Sequence, residues 1–295
     1  MKSAAWRFII LLGVISLFSD ITYEGARSIS GPFLGELKAS ALVVGVVAGL
    51  GEFLGYTLRL ASGYLTDRLG RYWPIVFVGY SVNLLAVPLL ALAGSWEIAV
   101  VLLLAERMGK AVRSPARDAM LSHAVGAVGW GWGFGFHEAM DQIGAVTGPL
   151  VVAAVLYFQG GYRQGFAVLL LPAVLALVVI TVAARLYPHP RHLEVNAPAL
   201  TTTGFTRPYW LYVVAVGCLG AGYADFSLIA YHFGKTALAS PGWIPLFYAI
   251  AMAVDGVAAL ILGRLFDRLG MPVIVVTAAL SALFAPLVFL GGFNL

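Results

Sequence analysis

An all-α membrane protein of about nine transmembrane helices, in three-helix repeats arranged as six plus three, is the fold this sequence predicts. Three observations predict it. Of 295 residues, 61% are hydrophobic and 11% are charged, whereas a soluble domain carries about 25% charged residues. Mean hydropathy is +0.91. The apolar residues also fall into runs of the roughly 20 needed to cross a bilayer, with Lys and Arg gathered at their ends.

The runs are residues 6–30, 39–62, 73–93, 98–116, 129–158, 164–186, 208–233, 242–263 and 272–291. The first follows Lys2 and Arg7, as the core of a signal peptide would. It continues through Asp20, Ile21, Thr22 and Tyr23 with no small-residue cleavage site, so it reads as a retained span. The first six runs make an N-terminal bundle, residues 1–186. Residues 187–207, with Pro188, Pro190, Arg191, His192 and Glu194, read as a cytoplasmic linker. Residues 208–295 supply the first three helices of a second, incomplete bundle. With the N-terminus in the cytoplasm, Lys2, Arg7, Arg68, Arg71, Arg113, Arg117, Arg185, Arg191, Arg207, Arg264 and Arg268 lie inside, against Lys38, Arg163 and Lys235 outside. That asymmetry fixes the expected orientation and places the protein in the cell membrane as a multi-pass chain.

Ionisable residues within the runs are unevenly shared. The first run holds Asp20, Glu24 and Arg27, and the second holds Glu52 and Arg59. The fourth holds Glu106, Arg107 and Lys110, and the fifth holds His137, Glu138 and Asp141. Asp225 and Asp255 stand in the seventh and eighth; the third, sixth and ninth have none. A charge in hydrocarbon costs at least about 2.5–3.5 kcal/mol, so the charged helices are expected to face an aqueous cavity or one another and the uncharged ones to face lipid. The partner so implied is the bilayer. The net charge of +4 sits at helix ends rather than in one patch, which argues against nucleic acid.

The fifth run carries the densest chemistry, HEAMDQIGAVTGP at 137–149. On a helix, His137, Asp141, Gly144 and Gly148 form one stripe, and Glu138, Gln142, Ala145 and Pro149 form the next. The small residues permit close approach of a neighbouring helix. Glu138 or Asp141 either takes up and releases a proton or is held in a permanent ion pair by Arg107, Lys110 or Arg59. The zinc-protease pattern H-E-x-x-H has Asp141 where its second histidine belongs, so no metal site is expected. No glycine-rich loop followed by Lys-Ser/Thr occurs, so neither nucleotide hydrolysis nor a cofactor is expected, and the chain does not read as an enzyme. Cys218 is the one cysteine, which excludes an intrachain disulfide.

An internal repeat ties the two ends of the chain together. GYLTDRLGR at 63–71 and GRLFDRLGM at 263–271 share Gly, Leu, Asp, Arg, Leu and Gly at the same spacing. Parallel repeats of this kind occur in secondary transporters. Gly63, Asp67, Arg68, Gly70 and Arg71 resemble the helix 2–3 loop signature of the major facilitator superfamily, and Gly263, Asp267, Arg268 and Gly270 resemble its second-half copy. Arg107 with Gly109 resembles that superfamily's helix-4 arginine motif, and Gly144, Gly148 and Pro149 resemble the helix-5 motif associated with antiporting exporters. Val152 and Ala153 stand where that motif usually continues with a small pair. The resemblance implies a twelve-helix transporter working by alternating access, with a small-molecule substrate and protons or another coupling cation as partners, and the nine runs stop three helices short of it. It further implies that Asp67 lacks its usual contact on helix 11, and that no protein partner is needed if the missing helices exist. Proton-coupled export is the expected function. A cation-coupled importer is the alternative within transport, and a truncated, non-transporting membrane protein is the alternative outside it.

Overall fold

The protein is described by a computed structural model over residues 2–158, 160–193, 207–221, 225–236 and 239–290. Its regular structure is helical: α1 Lys2–Glu36, α2 Ala41–Leu69, α3 Tyr72–Leu89, α4 Trp96–Val125, α5 Trp130–Tyr157, α6 Tyr162–Val168, α7 Leu170–Leu186, α8 Arg207–Ala221, α9 Phe226–Thr236, α10 Trp243–Leu269, α11 Met271–Ser281 and α12 Phe284–Leu290. Among the described residues, five segments have both the length and the apolarity to cross a membrane: Lys2–Glu36, Ala41–Leu69, Tyr72–Leu92, Gly133–Tyr157 and Tyr162–Leu186.

Three of the nine expected runs are divided. Residues 164–186 break at Leu169, between α6 and α7, and residues 272–291 break between α11 and α12. In each case a proline, Pro172 or Pro286, is the third residue of the next helix; having no N–H, it leaves the carbonyl four residues earlier without its helical bond. Residues 208–233 divide at Asp225. Its carboxylate Oδ1 accepts the Ser227 N–H at 2.8 Å and its carbonyl accepts the Leu228 N–H at 3.0 Å, which makes it the N-cap of α9. Of the linker, residues 187–193 are described, Arg207 is instead the first residue of α8, and residues 194–206 lie outside the described residues. There Trp73 donates from Nε1 to the Tyr187 carbonyl at 2.9 Å, and Arg191 donates to the Tyr72 hydroxyl at 3.1 Å.

Helix α1 is the axis of the first half, packed against α4, α5 and α7 and, across the halves, against α9 and α10. It carries buried hydroxyls without penalty because they bond its own carbonyls: Ser19 to Ile15 at 2.7 Å, Thr22 to Phe18 at 2.8 Å and Ser30 to Ala26 at 2.7 Å. One apolar core gathers Phe8, Leu12 and Ile15 with residues of α3, α4 and α7. A second gathers Ile29, Phe33 and Leu34 with Leu90, Val152 and Phe166. Between them, at mid-height on α1, lies a polar belt containing the buried Ser16, Ser19, Asp20, Thr22 and Glu24. Outward-facing positions are apolar. Val78, Val82 and Leu85 on α3 and Leu171, Val174, Val178 and Val182 on α7 are exposed, the surface a bilayer would cover.

Around Gly144 and Gly148, α1 and α5 approach main chain to main chain. A Cβ added at Gly144 would crowd the Leu17 carbonyl and Asp20, and one added at Gly148 would strike the Ile21 carbonyl and the Gly25 N–H. Pro149 comes next, buried, within the same helix.

Candidate functional site

The two halves meet at the end where α1 turns into α2 and part towards the end carrying the N-terminus. Gly31 on α1 lies directly on the Ser227 carbonyl of α9, and the Tyr231 hydroxyl donates to the Ala39 carbonyl at 3.0 Å. Further along, the Tyr248 hydroxyl of α10 donates to Glu24, and Gly256 lies against Gln142 of α5. Beyond that level the first two turns of α8 are exposed.

At the boundary between the closed and open parts, four charged side chains form an alternating ring. Asp225 Oδ2 accepts from Arg27 at 2.6 Å and from Arg107 at 3.2 Å. Glu52 Oε1 accepts from Arg27 at 3.4 Å and pairs with Arg107. Arg27, Glu52 and Arg107 come from α1, α2 and α4 of the first half, and Asp225 from the second. One carboxylate therefore does two jobs, capping α9 with one oxygen and joining the halves with the other. Gly51 makes room for this, since a Cβ there would meet the Arg107 side chain.

The ring borders a cavity of about 950 Å³ lined by all four of its members, with Tyr23, Tyr56, Arg59, Glu106 and Lys110, and Gly217 and Gly220 of α8. Lys110 lies over the Tyr23 ring, 3.6 Å from its centroid, and Arg59 lies 5.2 Å from that of Tyr56. Glu106 accepts from the Asn83 amide at 2.8 Å. The oxygen of the same amide accepts from the Nε of Arg113 at 3.3 Å. Arg113 is fully buried against the Tyr80 ring at 4.1 Å.

A second cluster sits between α1, α4 and α5. Arg117 donates to Ser16 at 2.9 Å, lies 3.9 Å from Asp141 and also pairs with Asp118. His137 is buried, 3.4 Å from the Ser16 hydroxyl and 3.8 Å from Asp141. Asp20 is buried against Gly144, within the electrostatic reach of Asp141 and Lys110.

Several expectations change. Arg107 is committed to Glu52 and Asp225, and Asp141 approaches Arg117; among the described residues none of Arg107, Lys110 and Arg59 pairs with the acids of α5. Glu138 is exposed and, among the described residues, reaches Gln142 alone, at 3.4 Å. Asp255 is exposed, with no ion pair among the described residues. Asp67 lies inside the last turn of α2, exposed; Arg68 and Arg71 are exposed beside it. Gly63 lies near Pro115. Arg113, expected at a helix end, is instead buried between α3 and α4, because Gly79 and Gly109 let those helices touch main chain to main chain. The two loop copies differ in detail: Gly70 has φ 62° and ψ 12°, whereas Gly270 has φ 70° and ψ −144°, both backbone regions that favour glycine. The side chains of Asp267 and Arg268, and the surroundings of Gly263, lie outside the described residues. Asn83 and Tyr248 are not among the residues the sequence singles out; an asparagine in an otherwise apolar third run is the available signal for the first, and Tyr248 gives none.

The family model described as Major Facilitator Superfamily matches residues 11–295. An uncharacterized protein of Mycobacterium tuberculosis is 41% identical over 287 residues, covering 95% of this chain and 70% of its own length. An uncharacterized MFS-type transporter of Methanocaldococcus jannaschii is 32% identical over 173 residues, covering 58% of this chain and 42% of its own length. Among solved structures, a bacterial homolog of the human lysosomal transporter Spinster, captured inward-facing and unoccupied, superposes with a TM-score of 0.72 at 14% identity. That match covers 91% of this chain and 64% of the other.

Proposed function

This chain belongs to the Major Facilitator Superfamily, and on that premise we propose that it is a secondary active transporter that exports a small molecule in exchange for protons by alternating access. The two halves, residues 1–186 and 208–295 joined by the linker 187–207, rock about the cavity between them. With the N-terminus in the cytoplasm, the open end faces inward, the state named for the Spinster homolog.

The observation that carries the reading is the ring of Arg27, Glu52, Arg107 and Asp225. It is made across the halves and at the edge of the cavity, so it must come apart before the opposite end can open. Interactions present in one state and absent in the other are what allow a ligand to bias a two-state equilibrium. The coupling residues in this reading are Asp20 and Asp141, with His137 and Arg117 beside them. Asp20 accepts no hydrogen bond among the described residues, and the Arg117 contact to Asp141 is long at 3.9 Å. Both carboxylates are thus free to exchange a cation for a proton when α1 and α5 move. Glu138, turned outward, is left out.

The reading is tested without knowing the substrate. Spin labels at the exposed Asp67 and Leu211 report the separation of the halves at the N-terminal end. Their distance distribution is expected to shift between pH 5.5 and 8.5 in the parent and to stop responding in the Asp20→Asn, Asp141→Asn double variant. An unchanged pH response in the folded double variant would remove these two residues from coupling. Flux in oriented vesicles under an imposed pH gradient then gives the direction by its sign.

A further inference from the structure

The carboxylates that line the cavity are already engaged, and two of its four cations are not. Glu52 and Asp225 are shared between Arg27 and Arg107, and Glu106 holds the Asn83 amide. Arg59 and Lys110 line the same space. Among the described residues neither side chain has a carboxylate within ion-pair distance, and neither donates a hydrogen bond. The Arg59 Nε is buried without an acceptor. Each cation rests on a tyrosine ring instead. A ring face holds a cation by about 0.5–2 kcal/mol while leaving its N–H groups free to bond something else. Glu24 and Asp20 attract Lys110 from α1, but neither lines the cavity. Glu24 is bound to Tyr248, and Asp20 lies against α5.

A molecule entering the cavity therefore meets free donors and no free carboxylate. Resting on the transport reading above, we propose that the substrate is a small organic oxyanion, its carboxylate or phosphonate held by Arg59 and Lys110. Its apolar body lies along Tyr23, Phe53 and Tyr56. The tyrosines hold both cations in place before the anion arrives, which lowers the ordering cost of binding. A bound anion also competes with Glu52 for Arg107, giving it a route to loosen the ring.

The test uses the full chain in neutral detergent, with benzoate and phenylphosphonate as anionic probes, phenethylamine as the cationic probe and benzyl alcohol as the neutral one. Thermal unfolding is expected to shift upward with the two anions and not with the others. Arg59→Gln and Lys110→Gln should each weaken anion affinity roughly tenfold or more, as expected for losing a hydrogen bond to a charged group, with Arg59→Lys recovering part of it. Stabilisation by phenethylamine alone, or anion stabilisation that persists in the double Gln variant, overturns the proposal. So does stabilisation by phosphatidic acid without any by benzoate, which assigns the pair to a lipid headgroup. The Asp67–Leu211 distance separates this inference from the transport reading. Anion binding with a static distance leaves the site standing and removes transport. A responsive distance with no anion binding removes the site alone.

Discussion

Asp225→Asn is expected to open the outer contact between the halves while leaving α9 intact. Asparagine still offers a carbonyl oxygen to the Ser227 N–H, so the cap survives and only the charge is lost. Arg27 and Arg107 are then left sharing Glu52. Breaking one side of a fully buried ion pair costs about 3–5 kcal/mol. Asp225 and Arg107 are 11% and 17% exposed, but Arg27 and Glu52 are 30% and 45% exposed, so water relieves part of the loss. A cost of about 2–3 kcal/mol remains, roughly a 30- to 150-fold rise in the ratio of open to closed outer ends. Labels at the exposed Lys38 and Lys235 would read it as a new, longer distance. Adding Arg27→Gln should restore part of the short distance by removing the unmatched cation. Asp225→Ala should be worse than Asn by about 1 kcal/mol because it also uncaps α9. If Asn behaves like the parent and only Ala opens the contact, the carboxylate acts only as a cap and the ring has no part in closure.

The second large effect is steric. Gly31→Leu places a side chain where the Ser227 carbonyl now sits, with the Tyr231 N–H 2.9 Å from the new Cβ. Both are main-chain atoms of a packed helix, so no rotamer change relieves the clash. Overpacking of this kind costs about 1–3 kcal/mol and often more when backbone must move, equivalent to roughly a 5- to 150-fold shift away from the closed outer end. Leucine is a better helix former than glycine, so α1 itself gains. The same Lys38–Lys235 labels should lengthen without loss of folded protein. Gly45→Leu is the control, since nothing lies within 4 Å of a Cβ there and no change is expected. An unaltered distance in Gly31→Leu would show that α1 and α9 do not close against each other in the membrane.

The sequence is informative about where helices start and stop and poor about which way they face. Ser40 caps α2 and Gly70 ends it at positive φ, both visible in a string of letters. Pro172 and Pro286 are visible too, yet the sixth and ninth runs read as continuous because apolar composition hides a break. Facing direction is hidden for a physical reason. In a soluble helix one face is polar because water covers it, but here both the lipid side and the core side are apolar, and the periodic signal vanishes. That is why Glu138 and Asp141, on adjacent stripes of α5, cannot be told apart by spacing alone. The burial of Arg113 is equally hidden, since an arginine near a run's end ordinarily reaches the interface. Only the contact of α3 with α4 at Gly79 and Gly109 turns it inward. Asp225 stands out as an acid in an apolar run. That its second oxygen joins the two halves depends on Arg27 and Arg107, almost 200 and 120 residues away.

The main-chain contact between α1 and α5 has a mechanical consequence. Where Gly144 and Gly148 lie on the carbonyls of Leu17 and Ile21, backbone rests on backbone and no long side chain stands between the two helices to change rotamer, so the pair bends as one stiff beam. Asp20 and Gly31 are separated along that beam by about 16 Å at 1.5 Å per residue. A tilt of about 5° pivoting near Asp20 thus displaces Gly31 by about 1.4 Å across its contact with Ser227. Softening the joint with larger, flexible side chains would absorb that displacement locally, and the lever would lose its reach.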